Sequence, residues 1–289
     1  MAVAQTAYAV AKQSLPAYAH QFSPKKYTQH QLIALLVLKE FFKKDYRGIT
    51  SILEDSSDLQ NILELNTIPH FTTLQKSAVR IFKKKGIRRL IGSTVVLAQK
   101  IKVLKKKSHL SAMDSTGFES GHTSRYFIKR KQQGAQQTTT YKRFPKLGLT
   151  CDTSSHIITG AHASRGPSVD VIYFKKLITE ALKTIPIGTL LADAGYDSEE
   201  SHRFAREDHG IHTIIPSRIG RPTGKLPTGK YRREMRTHFD KNTYGQRWQV
   251  ETVMSMIKRN LSEELKSKTY WAQCREMMIK AFAHNIMIV

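Results

Sequence analysis

Apolar residues recur with a helical period over the first third of the chain and with a strand-like alternation beyond it. Thr28 and Gln31 have capping-box spacing, and Leu32, Leu35, Leu36 and Phe42 extend the stripe, so a helix is predicted over 29–43. Residues before about Ser23 are weakly patterned, as in a partly mobile terminus. Gly48 breaks the first helix, Ile49 to Leu53 predict a short second one, and Ser57 caps a third reaching Leu65. Pro69 suits an early helical position and opens a fourth, with Phe71, Leu74, Ala78, Val79 and Phe82, which Gly86 stops.

The texture changes at Ser108. Leu110, Ala112 and Met113 around Asp114 predict a strand over 108–118 that runs into the polar Ser115-Thr116-Gly117 turn. Strands over 146–152 and 156–163 flank the Thr153-Ser154-Ser155 turn as a hairpin. A helix over 170–184 carries Val171, Phe174, Leu177, Ile178 and Leu182 on one stripe. A short strand over 189–192 stops at Asp193, followed by a helix over 198–208 and a strand over 211–216. Between the first strand and the hairpin, residues 120–145 are basic and rich in Gln and Thr, with Tyr126, Phe127, Tyr141 and Phe144 interspersed. Those aromatics either pin a hairpin, the favoured reading, or stack on bases.

Charge adds a partner to this outline. The chain has 289 residues, room for one large domain or a core with an appendage, and 47 Lys and Arg against 23 Asp and Glu give it a formal +24. The basic residues run throughout, which points to a polyanion. No apolar run approaches the roughly 20 residues of a membrane span, and the N-terminus lacks a signal-peptide pattern, so a soluble, cytoplasmic protein is expected. Two cysteines without metal-ligand spacing exclude a disulfide scaffold, and twelve histidines with no His-x-x-x-His pair give no zinc site.

Arg80, Lys83, Lys84, Lys85, Arg88 and Arg89 follow the short helices, a combination that suits a small helix-turn-helix-like DNA-binding unit; helical packing units without a DNA role share it. The further run Lys100, Lys102 and Lys105 to Lys107 marks a boundary, dividing the chain into 1–107 and 108–289. Residues 217–236 carry Arg218, Arg221, Lys225, Lys230, Arg232, Arg233 and Arg236 among Pro and Gly breakers, either a solvated loop or a rail for DNA phosphates.

The chemistry centres on 244–258. At roughly 100° per residue, Tyr244, Arg247, Glu251 and Lys258 fall within about 60° on a helix, while Val250, Val253, Met254, Ile257 and Leu261 form the adjoining apolar arc. Taken alone, Arg247 and Glu251 are an ordinary i,i+4 pair. From 108 onward, however, the order is strand, hairpin, helix, strand, helix, strand, helix, an α/β sheet with helices on both faces. Such a sheet can set Asp114 beside Asp193, with Glu251 reaching over from the last helix. Three clustered carboxylates call for hard cations, Mg²⁺ or Mn²⁺, and two such ions support phosphoryl transfer on nucleic acid. Asp197 reads as the cap of the following helix.

The spacing Tyr, two residues, Arg, three residues, Glu, six residues, Lys at Tyr244, Arg247, Glu251 and Lys258 resembles the DDE transposases of bacterial and archaeal insertion sequences. Ala192-Asp193-Ala194-Gly195-Tyr196-Asp197 and Met113-Asp114-Ser115-Thr116 are similar to the stretches around that family's two aspartates, and the likeness extends to His284-Asn285. It implies an RNase H-like catalytic domain in which Asp114, Asp193 and Glu251 hold two Mg²⁺ or Mn²⁺ ions, cutting element ends and joining the 3′-hydroxyl to target DNA. It also implies double-stranded DNA partners, a homodimer or larger synaptic complex, phosphate contacts from Arg247 and Lys258, and a DNA contact from Tyr244. The alternatives are an RNase H-like nuclease without strand transfer and a domesticated, non-catalytic DNA-binding regulator.

Overall fold

In the computed structural model, residues 1–120, 143–218 and 225–289 are described, with the side chains of Lys84 and Lys85 left aside. Helices fill the first hundred residues: α1 (Ala2–Ser14), α2 (Gln29–Phe41), α3 (Tyr46–Glu54), α4 (Ser57–Ile62), α5 (Phe71–Ile81) and α6 (Lys84–Lys100). The predicted capping box is present, with Thr28 and Gln31 exchanging side-chain and backbone hydrogen bonds. Helix α2 is the centre of this group, buried on every side from His30 to Glu40.

Three local expectations are corrected. The weakly patterned terminus is helix α1, which buries Ala4, Ala7, Tyr8, Val10 and Ala11; small side chains let it pack closely on α2 without a strong stripe. Gly48 lies inside α3, where its amide donates to the Asp45 cap at 2.7 Å, so it does not break the chain into helices at that point. Gly86 is near the start of α6 rather than at the end of α5, because a Cβ there would lie 2.0 Å from the Ile81 carbonyl oxygen. Only glycine permits so tight a passage from one helix to the next.

The sheet follows. Its strands are β1 (Ser108–Gly117), β3 (Phe144–Asp152), β4 (Ile158–Gly166), β5 (Ile187–Ala192) and β6 (His212–Ile214), in the order β4-β3-β1-β5-β6. β1, β3 and β4 are antiparallel neighbours, whereas β5 and β6 join β1 in parallel. A separate pair, β2 (Glu119–Ser120) with β7 (Glu264–Leu265), extends from the end of β1. Helices α7 (Phe174–Leu182), α8 (Glu199–Arg206), α9 (Lys230–Thr237), α10 (Lys241–Tyr244), α11 (Trp248–Leu261) and α12 (Tyr270–Ile288) complete the chain. A central strand with an antiparallel hairpin on one side and two parallel strands on the other is the α/β sheet expected from the sequence and fits the RNase H-like domain that the family resemblance implies.

Alternation along the strands sorts side chains to two faces. Met113 and Leu190 pack with Phe174, Leu177 and Ile178 of α7, while Ala112 and Leu191 pack with Val250, Val253 and Ile257 of α11. The predicted apolar arc of α11 is the buried one, residue for residue. The same apolar cluster continues into α1, α2 and α5. Buried Glu40 of α2 bridges Lys39 at 2.6 Å and Lys280 of α12 at 3.2 Å, tying the two regions together. Asn285 clamps the start of β4, bonding the Ile158 amide and carbonyl at 2.8 Å each and Thr94 of α6 at 2.9 Å.

Candidate active site

Parallel pairing of β1 with β5 ends at Met113 opposite Ala192, so Asp114 and Asp193 stand on the next rung of adjacent strands. Asp114 lies one residue past Met113 and therefore points to the α11 face. Asp193 leaves the strand and accepts the Gly195 amide at 2.9 Å, capping a short turn. On the facing helical segment, backbone torsions stay helical from Tyr244 through Trp248, with a tighter turn at Gly245–Arg247. This keeps Tyr244, Arg247 and Glu251 on the side turned toward the strand ends.

Arg247 joins the two elements. Its guanidinium lies 3.1 Å from Asp114 Oδ2 and 2.5 Å from Glu251 Oε1. Burial foremost, with the Asp193 and Glu251 carboxylates adding to it, raises Asp114 from 3.8 to about 6 against the pull of the Ser115 amide and of Arg247. Tyr244 packs on Phe239 at 4.9 Å between ring centres; burial raises its hydroxyl above the ordinary range, with Asp193 and Asp114 adding to the effect against Arg247. The structure thus brings Asp114, Asp193, Tyr244, Arg247 and Glu251 together. Lys258, two turns further along α11, pairs with Glu263 at 2.7 Å and takes no part in this cluster.

The donor set suits a hard divalent cation: three carboxylates on rigid elements, one held largely out of water. Among the described residues, no three His, Cys, Asp or Glu side chains are close enough to hold one ion, and the positive charge between Asp114 and Glu251 is the guanidinium of Arg247.

The basic segment over 217–236 differs from an open loop. It contains α9, whose first amides, at Tyr231 and Arg232, are capped by Glu199 of α8 at 3.1 Å each. Arg232 pairs with Asp197 at 2.8 Å, and the Arg218 amide donates to the same carboxylate at 2.7 Å. Asp197 is therefore not the cap of α8, a role that Ser198 takes. Burial pushes the Asp197 carboxyl up, but nearby His202 and hydrogen bonds from Arg232 and the Arg218 amide outweigh it and hold it below its ordinary value. Lys225, Lys230, Arg233 and Arg236 are exposed, whereas Arg221, with Tyr126, Phe127 and Tyr141, lies outside the described residues. In the N-terminal basic set, Arg88 is committed to Glu180 of α7 through two bonds of 2.6 Å.

Two features escaped the sequence reading. Trp248 directly follows Arg247 and is 54 % exposed, an aromatic without a core to fill. Asp170, read only as the first residue of a helix, lies behind Asp114 with Lys146 and Ser115. No local signal distinguishes it, because its neighbours come from three separate strands and turns.

Among solved structures, the chain is similar to the Mos1 transposase paired-end complex with left transposon end, at 13 % identity and a TM-score of 0.23, covering 68 % of this chain and 61 % of that one. It thus spans about three-fifths of that protein's length. The Mos1 mariner paired end complex with Mn gives 11 % identity and a TM-score of 0.24, over 94 % of this chain and 81 % of that one. Likeness at this level carries no structural argument. A search of the curated proteins finds no match. The family model for the transposase DDE domain, by contrast, matches residues 105–286, which take in the whole sheet and all three acidic positions. By that match, over more than half its length, the chain belongs to the transposase DDE domain family.

Proposed function

We propose that Asp114, Asp193 and Glu251 hold two divalent cations, Mg²⁺ or Mn²⁺, and that the chain cuts DNA at the ends of an insertion sequence and joins the freed 3′-hydroxyl to target DNA. The observation that carries this reading is the meeting of Asp114, on the rung beside Asp193, with Arg247 and Glu251 of α11. Bound there, the ions would activate a water or 3′-hydroxyl and stabilise the leaving oxygen.

The chain's own residues supply the rest. Asp114 and Asp193 offer oxygen donors from the sheet, and Glu251 offers one from a helix anchored by its buried arc. Arg247, a planar cation shared by two carboxylates, is the group best suited to exchange them for a backbone phosphate. Exposed Trp248 stands beside it as a surface on which a base can stack. Lys258, Lys225, Lys230, Arg233 and Arg236 extend the phosphate-binding surface outward, while the Arg218 and Arg232 contacts shape the segment that presents it. The helical region over 1–107 reads element ends, and a homodimer or larger complex brings two ends together in the cytoplasm of a prokaryotic cell. No helix among the described residues is long and apolar enough to cross a membrane.

The test is joining of an oligonucleotide that carries the element's terminal repeat to plasmid, with Mg²⁺ or Mn²⁺, comparing wild type with Glu251→Gln. Joined product that disappears with the substitution supports the proposal. Nicking without joining moves the assignment to a nuclease, and binding without chemistry under either metal moves it to a regulator.

A further inference from the structure

Behind the Asp114 carboxylate, on the opposite face of β1, stands a polar cluster that the sequence motifs do not include. Ser115 follows Asp114, so its side chain points toward α7. Its hydroxyl donates to Asp170 Oδ1 at 2.5 Å, and its amide donates to Asp114 Oδ1 at 2.7 Å. One residue therefore connects Asp170 to an expected metal ligand. Lys146 of β3 pairs with the same Asp170 oxygen at 2.7 Å and donates to the Ser168 carbonyl at 2.9 Å, which holds Asp170 in place.

Asp170 and the second aspartate flank the same glycine. A Cβ on Gly195 would come within 3.0 Å of Asp193 Oδ1 and 3.6 Å of Asp170 Oδ2, so the two carboxylates face that glycine together. An independent observation marks the same place. The Tyr196 side chain is wholly buried, and its hydroxyl makes no hydrogen bond. Burial foremost, then the Asp170, Asp114 and Asp193 carboxylates, keep its proton on, while the Ser115 hydroxyl pulls the other way. A buried phenol left without a bond among these groups is uncommon.

We infer that Asp170, held by Lys146, is a positioning residue for the proposed phosphoryl transfer: through the Ser115 hydroxyl and across Gly195 it sets the orientation of Asp114 and Asp193 toward a divalent cation. The inference rests on the metal-site reading above. Groups that orient metal ligands typically cost 10–100-fold in affinity or activity when removed, whereas a strut between β3 and α7 would cost stability alone.

The experiment measures Mn²⁺ binding to the full chain by the electron paramagnetic resonance of free Mn²⁺, with kcat and KM of strand transfer alongside. The variants are Asp193→Asn, Asp170→Asn, Ser115→Ala, Ser115→Thr and the Asp170→Asn/Ser115→Ala double. Asp193→Asn should abolish binding, which secures the metal site. Asp170→Asn and Ser115→Ala should each weaken Mn²⁺ affinity and lower kcat by roughly 10-fold or more with KM for DNA unchanged, the double should be no worse than Asp170→Asn, and Ser115→Thr should recover wild-type values. Wild-type Mn²⁺ affinity and kcat in Asp170→Asn or Ser115→Ala, or effects that multiply in the double, would overturn the inference while leaving the metal site standing. Unchanged binding in Asp193→Asn would instead remove the metal-site reading and the inference with it. Should Asp170→Asn fail to fold, the Ala and Thr variants of Ser115, which differ by retention of the hydroxyl, decide the matter.

Discussion

Replacing Asp114 with Asn should stabilise the metal-free protein, and the gain should appear only as pH rises. The Asp114 side chain is 19 % exposed, and its folded-state value is raised from 3.8 to about 6. Below 3.8 the carboxyl is protonated in both folded and unfolded chains, and it contributes nothing to pH dependence. Between 3.8 and 6 the unfolded chain ionises first, so stability falls as pH rises. Above 6 the folded protein bears the full cost of the charge, about 3 kcal/mol at 1.36 kcal/mol per pH unit. That figure already includes the attraction of Arg247, which the Asn variant also loses. Asn keeps the shape and removes the charge, so the variant should be more stable by about 3 kcal/mol at pH 8 and match wild type at pH 3.5. Urea denaturation in EDTA across this range gives the difference directly, provided the m-value is unchanged. Adding Mg²⁺ should stabilise wild type and leave the variant where it was. A variant less stable than wild type at pH 8, or a gain equal at every pH, would refute the reasoning.

Other perturbations test the neighbouring contacts. Arg247→Gln leaves Asp114 and Glu251 without their shared cation, so it should destabilise the metal-free protein by about 1–3 kcal/mol in urea titrations and weaken binding of terminal-repeat DNA; an unchanged midpoint with unchanged affinity contradicts the bridge. Asn285→Ala orphans the Ile158 amide and carbonyl at the start of β4 and should cost about 3 kcal/mol, and a loss below about 1 kcal/mol would mean that another group takes over the clamp. Duplex-DNA affinity, measured by fluorescence anisotropy, should fall with log[salt] at about −0.9 per neutralised phosphate, and a flat response would exclude the basic surface as a phosphate-binding one.

Much of the catalytic region was legible in the sequence because its determinants are local. The apolar run before Asp114 marks a strand covered on both faces, the arc from Val250 to Leu261 reports which face of its helix is buried, and the Thr28–Gln31 cap marks where a helix starts. The Tyr-Arg-Glu face followed from helical geometry alone. What the pattern could not encode were contacts between segments far apart in the chain. Helix α1, built largely of small residues, owes its burial to α2 and α6 rather than to a stripe of its own. Arg88 and Arg232, read as members of basic sets available to DNA, are paired with Glu180 and Asp197 because folding brings those carboxylates to them. Asp197 lost the capping role to its neighbour Ser198 for the same reason.

The site divides along this line. Sequence determined that Asp114 lies in a strand, that Asp193 directly follows one and that Arg247 and Glu251 share a helix face. Tertiary structure alone decided that Arg247 bridges Asp114 and Glu251, and that Asp170 and Lys146 lie behind the site through Ser115. Strand order places β3 beside β1 and the residues after β4 beneath both, and no local periodicity records which distant side chain will meet a given carboxylate.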